Sequence, residues 1–387
     1  MKKYLFGLIM FLLLIVDVNA EVDLTSNAKS AILVDNLSGK VLYEKAADEK
    51  LAPASMTKLA SMLIVMEAID NNTLKFDDKV TISEEAANMG GSQIFLEAGE
   101  EYTVHDLLKG VAIASGNDAV MALAEKVGGT QEKFVEMVNK RLQEIGAVNT
   151  HFVNPHGLDA EGHYSTARDM SIIARELLKH EKILEYTSIY EEYLEKNDGS
   201  KTWLVNTNKL VRFYDGVDGL KTGFTSTAGY CLTATAKKDN FRLISVVMGE
   251  DTSANRSSDT VKLLNYGFNT YKINIIKKEG EVLGKVRVNR GKVDEVNIIL
   301  ANNVTELLKT NESVSSYKFN LLFDSVNAPV KKGDTVGMAE MIDNEGNVVD
   351  EVEVTVDKDI GKANIFDYIK KNITIVGAGK KTMKQSI

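Results

Sequence analysis

Gly219-Leu220-Lys221-Thr222-Gly223-Phe224-Thr225 opens a stretch that decides the fold. Tyr230-Cys231-Leu232-Thr233-Ala234-Thr235-Ala236 and Leu243-Ile244-Ser245-Val246-Val247-Met248 follow it. Short polar turns separate these runs, so they read as three successive strands. Near the other end of the chain, Ala31-Ile32-Leu33-Val34 reads as a buried strand. Asp35-Asn36-Leu37-Ser38-Gly39 is turn chemistry, and Val41-Leu42-Tyr43 is the returning strand of a hairpin. Helical patterns fill the space between. Residues 56–69 are apolar and rich in Ala, Leu and Met, after a loop containing Pro53. Residues 104–114 and 118–126 are helical patterns separated by Ser115-Gly116-Asn117. Residues 131–145 place Phe134, Val135, Val138, Leu142 and Ile145 on one face, and residues 166–180 are amphipathic too. Asn154-Pro155-His156-Gly157 is a turn. Strands at both ends with helices between predict an α+β domain over residues 21–270, one antiparallel sheet flanked by helices.

Outside that domain the texture changes. Val286-Arg287-Val288, Val296-Asn297-Ile298, Tyr317-Lys318-Phe319-Asn320-Leu321 and Val352-Glu353-Val354-Thr355-Val356 alternate apolar and polar residues. Pro329, Gly333 and Asn344-Glu345-Gly346-Asn347 punctuate them. They predict a small all-β domain over residues 271–361. In residues 362–387, Ile365, Phe366, Ile369, Ile373 and Val376 share a helical face. Lys362, Lys370, Lys371, Lys380, Lys381 and Lys384 stand there against Asp367 alone. A basic amphipathic helix that touches an anionic membrane surface is expected.

The first twenty residues have Lys2 and Lys3, an apolar run from position 5 to 16, and Val18-Asn19-Ala20. That pattern predicts a secretory signal cleaved after Ala20, with an uncleaved N-terminal anchor as the plain alternative. The apolar run is shorter than the roughly 20 residues a membrane span needs. The predicted location is the outer face of the cytoplasmic membrane. A net charge of −9 argues against a nucleic-acid partner. The single cysteine, Cys231, excludes an internal disulfide and reads as a small buried apolar side chain. The histidines at 105, 151, 156, 163 and 180 show no metal-ligand spacing, so no metal or other cofactor is expected.

Three short motifs carry chemistry. In Ser55-Met56-Thr57-Lys58, positions i and i+3 share a helical face, and a serine hydroxyl needs an adjacent base to become a nucleophile. A lysine amine serves if burial and neighbouring positive charge lower its pKa. In Ser115-Gly116-Asn117, Ser115 offers a proton relay and Asn117 a bond to a substrate amide. In Lys221-Thr222-Gly223, Lys221 and Thr222 suit an anionic group, and Gly223 admits close approach of a substrate. Each has a bland reading alone: a helix cap, an inter-helix turn, an edge strand.

Together and in this order, spaced by 60 and then 106 residues, they resemble the signature of the penicillin-recognising serine enzymes. The fold so implied is β-lactamase/transpeptidase-like. The similarity is closer to the low-molecular-mass penicillin-binding proteins that act as D-alanyl-D-alanine carboxypeptidases. Pro53-Ala54-Ser55-Met56-Thr57-Lys58, Asn154-Pro155-His156-Gly157-Leu158, Asn206-Thr207-Asn208-Lys209-Leu210 and the stretch from Gly219 to Thr225 carry it. Phe224 departs from relatives with a polar or imidazole side chain there.

The resemblance implies acyl transfer from a peptidoglycan stem peptide ending in D-Ala-D-Ala. Ser55 would be the nucleophile, Lys58 its base and Ser115 a proton relay. Lys221 and Thr222, joined by Arg256, would hold the terminal carboxylate, and the backbone N–H groups of Ser55 and Phe224 would form the oxyanion hole. β-Lactams would trap Ser55 as an ester. A surface salt bridge is the plain alternative for Arg256. Two rival functions share these residues. A class A β-lactamase would add a Glu-x-x-Leu-Asn stretch between Asn117 and Lys221, and none is present. A non-catalytic sensor or scaffold would have no need of intact Ser55, Lys58, Ser115, Asn117 and Lys221.

Overall fold

The helix Lys58–Asp70 (α1) is apolar on every side, with Leu59, Met62, Leu63, Val65 and Met66 buried. Such a helix belongs at the centre of a core. The computed structural model describes residues 23–323 and 325–369. In it α1 follows a short 3-10 turn, Ala54–Thr57, so the expected helix over 56–69 starts two residues late. Four helices of 11 to 14 residues come between α1 and the closing strands: Val104–Ala114 (α2), Asn117–Gly128 (α3), Gln131–Glu144 (α4) and Ala167–Leu177 (α5). Of these, α3, α4 and α5 pack on α1. Local caps set the starts. The Thr103 hydroxyl accepts the Asp106 N–H at 3.0 Å while the Asp106 carboxylate accepts the Thr103 N–H, a capping box on α2. Thr130 and Thr166 cap α4 and α5.

The sheet has strands Ser30–Asp35 (β1), Val41–Lys45 (β2), Val217–Thr225 (β3), Gly229–Lys238 (β4) and Phe241–Glu250 (β5), in the order β2-β1-β5-β4-β3. β1 runs antiparallel to β2 and β5, and β3 antiparallel to β4. Ile32, Val34, Ile244, Val246 and Met248 join the helical core. The alternate residues Ala31, Leu33, Leu243 and Val247 are equally buried on the other face. The register sets Gly223 opposite Cys231 and leaves β3 at the edge, with Lys221-Thr222-Gly223 on it.

Three features were not anticipated. Lys79–Thr81 pairs with Glu101–Thr103, and Glu191–Glu195 pairs with Lys201–Val205. Ser253–Thr270 is a long helix (α6). Serine and asparagine in its first turns are weak helix formers, and they hid it.

The second compact unit comprises Asp239–Phe241 and the chain from Gly267 onward. Its six-stranded sheet has the order Lys318–Phe323, Thr335–Ile342, Val348–Val356, Glu295–Leu300, Val282–Asn289, Val326–Asn327. Tyr271–Lys277 pairs separately with Val304–Lys309. Val286, Val296, Ile298, Leu300, Val354 and Val356 form its own core, as the alternating pattern requires. Ile365, Phe366 and Ile369 of the expected amphipathic face are exposed in a short helical segment, residues 365–369. Ile373, Val376 and the signal segment lie outside the described residues. Among the described residues, no helix is long and apolar enough to cross a membrane.

Candidate active site

Ser55 lies in the 3-10 turn that runs into α1. Ala54 before it has a φ of +47°, a left-handed conformation that costs a residue with a side chain. The surroundings hold it there. Thr57 Oγ1 donates to Ala54 O at 2.8 Å and lies 2.8 Å from His163 Nε2. His163 Nδ1 accepts from the Val153 N–H, so in the neutral ring Nε2 carries the proton and donates to Thr57. Burial holds His163 down to about 4, which keeps the ring neutral. Gly157 closes the same turn. Its φ is +89°, and a Cβ there would stand 1.9 Å from Ala54 O.

Lys58, the first residue of α1, is fully buried. Its Nζ lies 2.9 Å from Ser55 Oγ and donates to Asn117 Oδ1 and to His156 O, each at 2.7 Å. Burial pushes its pKa well below the usual lysine value, and Lys221 pushes the same way. Asp118 opposes them, and it is a buried carboxylate whose own pKa burial raises. Asp118 accepts the backbone N–H groups of Ile94, Leu96 and Ala119. It thereby fixes the loop whose Gly90 O accepts from Asn117 Nδ2 and whose Ser92 O accepts from Asn117 N–H. Both side-chain atoms of Asn117 are thus engaged within the protein. Asn117 thereby positions Lys58, and its second Nδ2 hydrogen and second Oδ1 lone pair leave the expected bond to a substrate amide open. Ser115 caps the C-terminus of α2 with a φ of +63°, and its Oγ is buried with no partner among the described residues.

On β3, Lys221 is fully buried and donates to Thr222 O at 3.1 Å. Burial and the nearby Arg256 bring its pKa down to about 7. Thr222 Oγ1 donates to Thr207 Oγ1 at 2.7 Å. Thr207 is braced by its neighbours: Asn206 Nδ2 donates to Thr187 O and Ile189 O, and Asn208 Nδ2 donates to Gly219 O. Arg256, near the start of α6, is 7% exposed, its Nε lacks a partner among the described residues, and burial lowers its pKa. Among the described residues it makes no ion pair, so it is not the surface salt bridge weighed above. Lys221 and Arg256 therefore form a buried cationic pair suited to an anion.

Gly223 also makes room within the protein. A Cβ there would meet Pro53 O at 2.6 Å and Met56 N at 3.2 Å, so its bareness admits the Ser55 turn itself. Phe224 is exposed and stacks on its register partner Tyr230, centroids 4.3 Å apart. Cys231 is buried and burial pushes its thiol up to about 11, away from nucleophilic use. Ser55, Lys58 and Asn117 are directly bonded, and β3 packs on the Ser55 turn. Sequence reasoning missed Asp118, Thr207, the Thr57–His163 bond and the His156 carbonyl.

Fold and site define a class: serine acyl-transfer enzymes in which a buried lysine stands beside the nucleophile. Residues 17–252 match the family described as D-alanyl-D-alanine carboxypeptidase, and residues 271–362 match penicillin-binding protein 5, C-terminal domain. The chain is 46% identical to D-alanyl-D-alanine carboxypeptidase DacF of Bacillus subtilis over 352 residues, 91% of this chain and 90% of that one. It is 35% identical to DacA of Escherichia coli over 360 residues, 89% and 87% of the two chains. Penicillin-binding protein 5 of Haemophilus influenzae matches in structure with a TM-score of 0.68 and 33% identity, covering 87% of this chain and 98% of that one. The chain belongs to the D-alanyl-D-alanine carboxypeptidase family. It is a serine-type D-Ala-D-Ala carboxypeptidase of the penicillin-binding superfamily, which favours that activity over the β-lactamase and sensor readings.

Proposed function

We propose that this carboxypeptidase removes the terminal D-alanine of peptidoglycan stem peptides through a Ser55 acyl-enzyme, with neutral Lys58 as the base. The observation that carries the reading is the set of three contacts at Lys58 Nζ. A neutral amine has two N–H donors and one lone pair. Asn117 Oδ1 and His156 O take the two donors, which turns the lone pair toward the Ser55 hydroxyl.

Ser55 Oγ attacks the penultimate D-Ala carbonyl carbon and its proton passes to Lys58. The backbone N–H groups of Ser55 and Phe224 receive the oxyanion; losing one such donor typically costs about 3–4 kcal/mol. The C–N bond breaks, and Ser115 passes a proton to the departing amine. A buried hydroxyl without a partner suits that role, because substrate supplies the missing bond. Lys221, Thr222 and Arg256 hold the terminal carboxylate, with Thr207 orienting Thr222. Gly223 seats the Ser55 turn. Water then hydrolyses the ester. β-Lactams acylate Ser55 by the same attack and release slowly.

Export rests on the signal segment, residues 1–20. The catalytic domain is residues 21–270 and the β domain residues 271–361. The basic tail, residues 362–387, holds the enzyme on the anionic outer face of the cytoplasmic membrane. Incubation with a D-Ala-D-Ala-terminated peptide, with mass analysis, tests the reaction. D-Alanine release and a Ser55 adduct are expected, both lost in Ser55→Ala. Release that persists in Ser55→Ala overturns the reading.

A further inference from the structure

Glu250, the last residue of β5, and Asp259, on the second turn of α6, are each 1% exposed. Among the described residues, no donor bonds either oxygen of Glu250 or Asp259 Oδ2. The two carboxyl groups lie within hydrogen-bonding reach of each other. Two buried carboxylates in contact cannot both ionise without heavy cost, so one proton between them is the stable arrangement. The charged surroundings pair Asp259 and, among the described residues, leave Glu250 without a bonded cation. Lys262 binds Asp259 Oδ1 at 2.7 Å from the same helix. Lys45 on β2 attracts Glu250 weakly, while Asp251 repels it. Asp23 acts on Lys262, and Glu250, Arg256 and Lys29 all act on the Cys231 thiol. Burial and Asp259 hold Glu250 up to about 7, inside the working range.

The pair ties the end of β5 to the start of α6, across the turn through residues 251 and 252. Arg256 sits three residues before Asp259, on the same face of α6. We propose that Glu250 and Asp259 share one proton, and that this shared proton positions Arg256 against the substrate carboxylate. The inference rests on Arg256 being part of the carboxylate site. Loss of the proton leaves two like charges facing each other, drives the first turns of α6 from β5, and withdraws Arg256. Glu250 and Asp259 act through Arg256 and touch no substrate.

The test compares wild type, Glu250→Gln, Asp259→Asn and Arg256→Lys from pH 5.5 to 8.5, using a D-Ala-D-Ala-terminated peptide. A glutamine amide donates to Asp259 at every pH and so mimics the protonated pair. The wild-type KM is expected to rise roughly fivefold across the range, the lower end of coupling between linked sites. In Glu250→Gln and Asp259→Asn the rise shrinks to the part that Lys221 contributes, with kcat unchanged. Thermal stability separates the contributions. The folded pKa of Glu250 lies above its unfolded value of 4.5, so its share of stability is lost as pH climbs from 4.5 to about 7. Lys221, with a folded value near 7 against 10.5, acts above pH 7 and in the opposite direction. Glu250→Gln should therefore gain on wild type in Tm between pH 5 and 7. An unchanged KM profile and unchanged Tm difference in Glu250→Gln overturn the shared proton. A changed Tm profile with an unchanged KM profile overturns the positioning of Arg256. Arg256→Lys with wild-type KM throughout overturns the carboxylate role of Arg256, while the Tm comparison still decides the proton.

Discussion

Two lysines divide the chemistry between them by environment rather than by type. Lys58 meets carbonyl acceptors and the serine, and in the proposed mechanism it works as the base. Lys221 meets a second cation, and in the proposed mechanism it anchors an anion only while it is protonated. Its pKa of about 7 therefore places a falling limb on kcat/KM above pH 7. Lys221→Arg keeps the charge at all pH values and should flatten that limb in a pH profile of kcat/KM. A limb that persists unaltered would assign it elsewhere. Ser55, Lys58, Ser115 and Lys221 were legible from spacing because their side chains carry the motif. The His156 carbonyl was not, since any residue supplies a carbonyl and only the fold aims it. Thr57–His163 was illegible for a related reason: 106 residues separate the partners, and only tertiary packing joins them.

At the scale of elements, the Ser55 turn is held from outside. The Asn154-to-Leu158 turn presses on Ala54, His163 fixes Thr57, and β3 lies against Pro53 and Met56. Gly157→Ala should destabilise the protein by about 1–3 kcal/mol from its left-handed backbone alone, with further loss from the clash at Ala54 O. Chemical denaturation and the rate of β-lactam acylation should both report it, and an unaffected acylation rate would detach this turn from the nucleophile. Thr207→Val removes the acceptor of Thr222 and should raise KM about two- to tenfold with little change in kcat, the equivalent of roughly 0.5–1.5 kcal/mol. The hairpin and the three end strands were legible because buried β-branched runs bounded by turn residues have few other readings. The helix α6 was not, because its first turns are polar and its buried Leu263 and Leu264 come late.

For the whole molecule, the α+β class with a separate β domain followed from the order of patterns along the chain. The helices provide a rigid wall for Ser55, Lys58 and Ser115, and the sheet edge supplies Lys221 and Thr222. Export and membrane attachment are predictions from the two ends of the sequence. Removing residues 362–387 should release the mature enzyme from anionic vesicles in a sedimentation assay while leaving turnover of a soluble peptide intact. Undiminished sedimentation would locate the membrane contact elsewhere. The account depends above all on Lys58 being neutral when Ser55 attacks. The most direct measurement is the single-turnover rate of Ser55 acylation by a penicillin as a function of pH. The account predicts a rate that levels off well below the ordinary lysine value of 10.5 and collapses in Lys58→Ala. A rate that climbs in proportion to hydroxide up to pH 10.5 would show a protonated Lys58 and contradict it.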